Sequence, residues 1–106
     1  MRILFDECVN QRLHLAFPGD EVKTVAEMEW RSFTNGRLME EAAHFDVFLT
    51  LDRNLQFQNP TGRYRLGIVV LLSRFNDLAA YRPHFAEIRD AVRQTKPGQI
   101  KAVQIH

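Results

Sequence analysis

The sequence lacks the side chains on which several common kinds of site depend. Its 106 residues include one cysteine, Cys8, so no disulfide bond can form within the chain, which fits a reducing cytoplasm. No histidine or second cysteine lies close to Cys8 in sequence, so a nucleophilic role is disfavoured, and we expect a small buried residue at the start of a helix. The four histidines are scattered without ligand spacing, which disfavours a zinc site.

Long apolar runs and an excess of one charge are also missing. No run approaches the ~20 apolar residues that span a bilayer, and no signal peptide precedes the first strand pattern, so we expect a cytoplasmic protein with no membrane partner. The net charge is +1, so the overall charge indicates no partner. Eleven of the fourteen basic residues are arginine. This excess favours a phosphate-bearing partner, which arginine binds through two parallel hydrogen bonds, although a genome rich in arginine codons produces the same excess.

The remaining composition is typical of one globular domain, with 45% hydrophobic and 25% charged residues. Apolar runs alternate with helical periodicity along the chain, and turn residues separate them. We predict helices over 9–17, from a Thr34 or Asn35 cap to about 44, and over 76–95, and strands over 2–5, 21–25, 47–51, 67–72 and 100–105. This order predicts a single α/β domain over 1–106, with three layers and a mostly parallel five-stranded sheet.

Two of the predicted strands stop abruptly at an aspartate. The strand 2–5 runs into Asp6, and the strand 47–51 runs into Asp52. If the strand order is 2-1-3-4-5, both aspartates lie at the switch point of the sheet, where open parallel sheets bind ligands. Carboxylates at that point suit a hard divalent cation such as Mg²⁺ or Mn²⁺. Alternatively, Asp6 caps the helix that follows it, and Asp52 accepts hydrogen bonds from the backbone of its own turn.

Three stretches carry motifs that can be compared with known families. They are MRILFDECVN at the start, the W-x4-N-G-x-L motif that begins at Trp30, and FLTLDRNLQFQ over 48–58. Together they resemble the small stand-alone PIN-like proteins, bacterial domains related to PIN ribonucleases and VapC-type toxins. The resemblance implies a PIN-like fold and metal-dependent cleavage of RNA phosphodiesters. It also implies that Asp6 and Asp52 are metal-binding catalytic acids and that Glu7 assists them as a third ligand or a base.

The chain departs from the PIN-like pattern before its third strand, where related sequences usually carry an acid. Members with Asn-Gly at this point commonly follow it with glutamate, and this chain has Arg37. The arginine replaces a negative charge by a positive one, which should weaken metal affinity. It either clamps a substrate phosphate or marks a site that binds without cutting. The residues that we expect to orient substrate are Asn35, Arg37, Arg53, Asn54 and Arg74.

These observations support more than one function. The first is a Mg²⁺- or Mn²⁺-dependent endoribonuclease, with a toxin of a toxin–antitoxin pair as one role and an antitoxin protein as its partner. The second is a catalytically impaired PIN-like module that binds RNA or a protein. The third is a homodimer or scaffold that uses exposed Trp30, Phe33 or Phe57. Asp77 is either an extra acid or a helix-start residue, and the interleaved stretch 63–65 is either an RNA-binding segment or a solvated loop.

Overall fold

The computed structural model of the protein describes residues 1–55 and 66–106, apart from the side chain of Asn35. Its strands are β1 (Arg2–Phe5), β2 (Glu21–Thr24), β3 (Val47–Thr50), β4 (Gly67–Leu72) and β5 (Ile100–Gln104). They form one sheet in the order β2-β1-β3-β4-β5, and every neighbouring pair is parallel. The five predicted strands are therefore confirmed, the observed order is the one considered as a condition above, and the sheet is all-parallel rather than mostly parallel.

The central strands consist of consecutive apolar residues because both of their faces are buried. All four residues of β3 are buried, as are the first five of β4. Successive side chains of a strand point to opposite faces, so Phe5 lies in one core cluster and Leu4 in the other. The carboxyl ends of β1, β3 and β4 consequently meet at one edge of a rigid, fully packed sheet.

Short helices cover both faces of this sheet. Helix α1 (Asn35–Glu41) buries Leu38 and Met39 on the face that contains Leu4. The opposite face is covered by a 3-10 helix (Gln11–Ala16), α2 (Leu78–Tyr81) and α3 (Phe85–Gln94). Thr34 caps α1, since its hydroxyl accepts a hydrogen bond from the backbone N–H of Arg37. No helix of the described ranges is long and apolar enough to cross a membrane.

The first predicted helix is wrong in type and in length. Residues Gln11–Ala16 form a 3-10 helix, and Asn10 caps it by accepting from the N–H of Arg12. Val9 belongs to the preceding turn, where its N–H donates to the carbonyl oxygen of Asp6. Residues three apart are aligned in a 3-10 helix, so Leu13 and Ala16 both reach the core.

The predicted helix over 76–95 is divided into two α-helices. A 3-10 turn (Arg82–His84) separates α2 from α3, and it contains Pro83. Proline has no N–H to donate, and its ring clashes with the carbonyl four residues earlier, so an α-helix is broken or bent at this position. Ile88 and Val92 are fully buried on the inner side of α3, as its helical periodicity predicts.

The surface aromatic residues proposed for dimerisation are not exposed as expected. Trp30 and Phe33 are half-buried, stack at 6.0 Å between ring centroids, and pack against the cluster that contains Leu4. Part of each ring is therefore already covered by the core cluster. Phe57 and the stretch 63–65 lie outside the described residues. The large apolar side chains that are exposed in the described ranges are Met1, Leu15 and Phe75.

Candidate functional site

The candidate site lies at the carboxyl ends of β1 and β3, where the sheet reverses its strand order. Phe5 of β1 is in register with Leu49 of β3, and the next N–H, that of Asp6, donates to the Leu49 carbonyl at 2.9 Å. The register places Asp6 opposite Thr50. The crevice between strands at a switch point is where doubly wound sheets bind ligands.

Asp6 and Asp52 are joined through the buried side chain of Thr50. The Thr50 hydroxyl donates to Oδ2 of Asp6 at 2.6 Å and accepts from the backbone N–H of Asp52 at 3.1 Å. Thr50 is fully buried, so this contact has a fixed position. A short hydrogen bond to an ionised carboxylate is stronger than a bond between neutral groups. Thr50 thus orients one acid and positions the backbone of the other.

The two alternatives raised for these aspartates have different outcomes. Oδ1 of Asp52 accepts from the N–H of Asn54 at 3.0 Å, so its bond within its own turn is confirmed. The helix-cap alternative for Asp6 is wrong, because Asn10 caps the 3-10 helix. Oδ1 of Asp6 accepts from the N–H of Glu7 at 2.8 Å instead. Asp6 therefore faces the edge of the sheet rather than the start of a helix.

The remaining acids near this edge do not complete a larger cluster. Glu7 is exposed, and its carboxylate lies 3.7 Å from Nε of Arg31. Asp77 caps α2, with Oδ1 accepting from the N–H of Ala80 at 2.8 Å, so the helix-start explanation is confirmed. Within the described ranges, no three or more His, Cys, Asp and Glu side chains are grouped to hold a metal ion. The acids of this edge that remain candidates for a shared ion are therefore Asp6 and Asp52.

Cys8 is exposed, which corrects the expectation of a buried residue. Its Sγ lies 3.6 Å from Oδ2 of Asp6, which is also the oxygen that accepts the hydrogen bond from Thr50. Partial burial of the sulfur, followed by the charge of Asp6, raises the pKa of the Cys8 thiol. The group is therefore a neutral thiol near pH 7, which supports its role as a weak donor to Asp6 and disfavours a nucleophilic role.

Asn76 connects the loop after β1 to the loop after β4. Its Oδ1 accepts from the N–H of Asn10 and from the hydroxyl of Tyr81, at 3.0 and 2.7 Å. Its Nδ2 donates to the carbonyl oxygen of Cys8, and the Asn10 side chain donates to the Asn76 carbonyl. These contacts hold the two loops at a fixed separation beside the aspartates. No local pattern of the sequence indicates this bridging.

The predicted substrate-orienting residues occupy two regions. Arg53 and Arg74 line a cavity of about 430 Å³ at the carboxyl ends of β4 and β5. The guanidinium of Arg37 lies 3.9 Å above the ring centroid of Phe33. Asn54 is exposed beside Asp52, and Asn35 is the first residue of α1, with its side chain outside the described part. Arg53 and Arg74 are therefore brought together, and Arg37 is engaged by an aromatic ring.

The site also contains residues that sequence reasoning missed. Thr50 and Cys8 both contact Asp6, and Phe75 is exposed beside Arg74. Only Thr50 could have been found from the sequence. If β1 and β3 are neighbours, a hydroxyl two residues before Asp52 lies on the same strand face as Asp52.

No family model, curated protein or solved structure matches this chain. The case for function consequently depends on the motifs and on the chemistry of this edge.

Proposed function

We propose that the chain is a three-layer PIN-like domain that cleaves RNA phosphodiesters with the help of Mg²⁺ or Mn²⁺, and that it acts in the cytoplasm. The observation that carries the proposal is the hydroxyl of Thr50, which contacts the carboxylate of Asp6 and the backbone N–H of Asp52 and so ties the two strand-end aspartates to one point of the sheet edge. Their place at the β1–β3 switch point supports a ligand site. The PIN-like motifs of the sequence support the choice of RNA.

The side chains of this edge have the chemistry that a hard cation requires. A carboxylate offers about four lone-pair positions, and the described contacts of Asp6 use three of them, from Glu7, Thr50 and the weakly donating thiol of Cys8. Asp52 accepts one described bond, at Oδ1. Asp6 and Asp52 would therefore hold the ion. When bound, it would polarise a phosphoryl oxygen and lower the pKa of a bound water.

The other residues act on the substrate or on a proton. Arg53 and Arg74 are suited to hold a phosphate, because a guanidinium pairs with phosphate oxygens through two hydrogen bonds. Glu7 is exposed and adjacent to Asp6 in sequence, and its proposed role is to accept a proton from the attacking water. The other proposed substrate contacts are Asn35, Arg37 and Asn54. They are proposed because these residues lie in or beside the PIN-like motifs.

A second function is a catalytically impaired module that binds RNA or a protein partner. Two observations support it. The described residues supply no third acid to the aspartate pair. Arg37, at the position where related sequences commonly have glutamate, stacks on Phe33 and adds a positive charge. In both functions the toxin role and the antitoxin are proposals that depend on the resemblance. The homodimer is a proposal based on aromatic residues, of which Trp30 and Phe33 are half-buried.

Cleavage of a labelled single-stranded RNA in Mn²⁺ tests the first function. Asp6→Asn and Asp52→Asn each remove a charge from the proposed metal site, and we expect each to lower the cleavage rate by at least about 100-fold, since even outer-shell residues of metal sites contribute 10- to 100-fold. Asp90→Asn is the matched control, because Asp90 is exposed on α3. Equal cleavage by all variants contradicts the proposal. RNA binding without cleavage by the unaltered protein favours the second function.

A further inference from the structure

A cavity at the ends of β4 and β5 has no assigned ligand. It measures about 430 Å³, and its wall includes Arg53, Ser73, Arg74, Phe75 and Gln104. This volume is within the range of cavities that bind small organic molecules. Leu72 and Gln104 are paired in the ladder of β4 and β5, so the floor of the cavity belongs to the sheet itself. Its position is consequently fixed relative to the aspartate pair.

The charge of the cavity suits an anion. Arg53 lies in the loop after β3 and Arg74 in the loop after β4, so the loops after two neighbouring strands each bring an arginine to the wall of the cavity. None of the described residues that line it is acidic. Both arginines are exposed, and neither has an ion pair among the described residues. A phosphate group placed between them would meet two donors without displacing a carboxylate.

Phe75 adds an apolar surface beside this charge. Its side chain is 64% exposed, the highest value among the large apolar residues of the described ranges. The backbone beneath it is held, because the Ser73 hydroxyl donates to the Phe75 carbonyl and accepts from its N–H. Asn76, the next residue, is fixed by its bridge to Asn10. An aromatic ring exposed on a braced loop is suited to stack against a flat ligand such as a nucleobase.

The cavity and the aspartate pair share one edge of the sheet. Strands lie about 4.8 Å apart, so the midpoint of β4 and β5 is about 10 Å from the midpoint of β1 and β3. An extended nucleic acid strand lying along this edge would contact both places. A base inside a duplex is already stacked on its neighbours and cannot lie on a protein ring. The two arginines together with the exposed ring of Phe75 therefore favour single-stranded over double-stranded nucleic acid.

We propose that this cavity is a binding subsite for one nucleotide of single-stranded RNA, with its base stacked on Phe75 and its phosphate held by Arg53 and Arg74. This proposal rests on the proposed function in two respects: the ligand is RNA, and the RNA strand continues from the cavity toward Asp6 and Asp52. Binding at the subsite uses no metal, so it is measurable separately from cleavage. The subsite selects the conformation of the substrate, whereas the aspartate pair acts on the bond.

Fluorescence anisotropy with a fluorescein-labelled ten-residue oligouridylate in EDTA tests this subsite. Phe75→Ala should weaken binding about 5- to 100-fold, the range for loss of one base stack, and should leave the salt dependence unchanged. Arg53→Gln and Arg74→Gln should weaken binding and reduce the slope of log affinity against log salt by about 0.7 for each phosphate that the protein no longer neutralises. Annealing the probe to its complement should weaken binding to the unaltered protein.

Two control variants and one rescue complete the design. Leu15→Ala removes an exposed apolar side chain outside the cavity, and Arg93→Gln removes an exposed guanidinium beside Asp20; both should bind as the unaltered protein does. Phe75→Trp keeps a stacking ring, so it should keep the affinity and show indole fluorescence quenched by RNA. All the replaced side chains are exposed, so the variants should fold, which circular dichroism checks.

The outcomes for the subsite and for cleavage are distinguishable. If the unaltered protein does not bind the probe, or if the cavity variants bind it as well as the controls do, the subsite is overturned, even where Mn²⁺-dependent cleavage is seen. If binding depends on Phe75 and both arginines but no variant or condition gives cleavage, the subsite stands and the ribonuclease proposal fails. Preference for the duplex over the single strand also overturns the subsite.

Discussion

The hydroxyl of Thr50 donates a 2.6 Å hydrogen bond to Oδ2 of Asp6, across the junction of β1 and β3. The hydroxyl oxygen of Thr50 also accepts from the backbone N–H of Asp52, so one buried hydroxyl contacts the carboxylate of Asp6 and the backbone of Asp52. Loss of a group that orients a metal ligand typically lowers metal affinity 10- to 100-fold. Thr50 is therefore expected to be a positioning residue of the site.

Replacing Thr50 by valine removes the hydroxyl but keeps the shape of the side chain. We expect the free energy of unfolding to fall by about 2 kcal/mol, because the N–H of Asp52 loses its acceptor and Asp6 loses a donor. Affinity for Mn²⁺ should fall 10- to 100-fold. Urea unfolding and Mn²⁺ titration measure the two effects.

Thr50→Ser is the matched control for the valine variant. Serine keeps the hydroxyl and loses one buried methyl group, so it should cost about 1 kcal/mol of stability while leaving Mn²⁺ affinity close to that of the unaltered protein. If the serine and valine variants bind Mn²⁺ equally, Thr50 does not orient the site and its role is confined to stability.

Tyr81 makes the stability of the protein depend on alkaline pH. Its ring is fully buried and its hydroxyl donates to Oδ1 of Asn76. Burial raises the pKa of Tyr81 to about 12, and the charges of Cys8 and Asp77 add to the shift. A raised pKa means that the folded state holds the proton more tightly than the unfolded state does. This contribution to stability is complete below pH ~10, the ordinary pKa of tyrosine, and is lost as pH rises through the folded value.

The variant Tyr81→Phe separates this effect from other alkaline titrations. It should cost about 1 kcal/mol at pH 8, since Asn76 loses one donor. The unaltered protein should lose about 1 kcal/mol from Tyr81 ionisation by pH 11, and about 2 kcal/mol by pH 12, whereas the variant should not. Urea unfolding across this pH range measures the difference. A constant gap between the two proteins at all pH values contradicts the assignment.

Gly67, the first residue of β4, has no space for a side chain. A Cβ built there would lie 2.5 Å from Cγ2 of Thr95 and 3.1 Å from the carbonyl oxygen of Lys96. We expect Gly67→Ala to lower the free energy of unfolding by about 1 to 3 kcal/mol through overpacking. Adding Thr95→Ser removes Cγ2 but keeps the hydroxyl bond to Ala91, so it should recover part of the loss.

Gly36 is the contrasting glycine. A Cβ there meets nothing within 4 Å, and the residue lies in α1. Gly36→Ala should therefore raise the free energy of unfolding by roughly 0.5 to 1 kcal/mol, because glycine is a poor helix former. Thermal or urea unfolding of both glycine variants checks the pair. Similar effects of the two substitutions would show that the close approach to Thr95 does not matter.

Strands β1, β3 and β4 were predictable because they are short apolar runs, and β2 and β5 because polar and apolar residues alternate in them. The order 2-1-3-4-5 was considered only as an order that brings the ends of β1 and β3 together. The hydrogen bond between Asp6 and Thr50 was harder to predict than the strands, because it depends on the register between β1 and β3. β3 ends at Thr50, not at Leu51, and the pairing of Phe5 with Leu49 sets Thr50 opposite Asp6. The carboxylate of Asp52 follows two residues later.

Features formed between distant loops had no local signal. The bridge of Asn76 to Asn10 joins residues that are 66 positions apart, and turn-forming asparagines are common in any loop. The exposure of Cys8 depends on the turn after β1, where Val9 rather than Cys8 points into the core. The 3-10 form of Gln11–Ala16 was missed for a related reason, since Leu13 and Ala16 fit helical periodicity of either type.

Calorimetric titration with Mn²⁺ tests most directly whether Asp6 and Asp52 form a metal site. We expect the unaltered protein to bind one ion, and we expect Asp6→Asn and Asp52→Asn each to weaken that binding by at least about 10-fold, because a carboxylate ligand is removed. Asp90→Asn should bind as the unaltered protein does. Absence of binding at millimolar Mn²⁺, or equal binding by all three variants, would contradict a metal centre at the ends of β1 and β3.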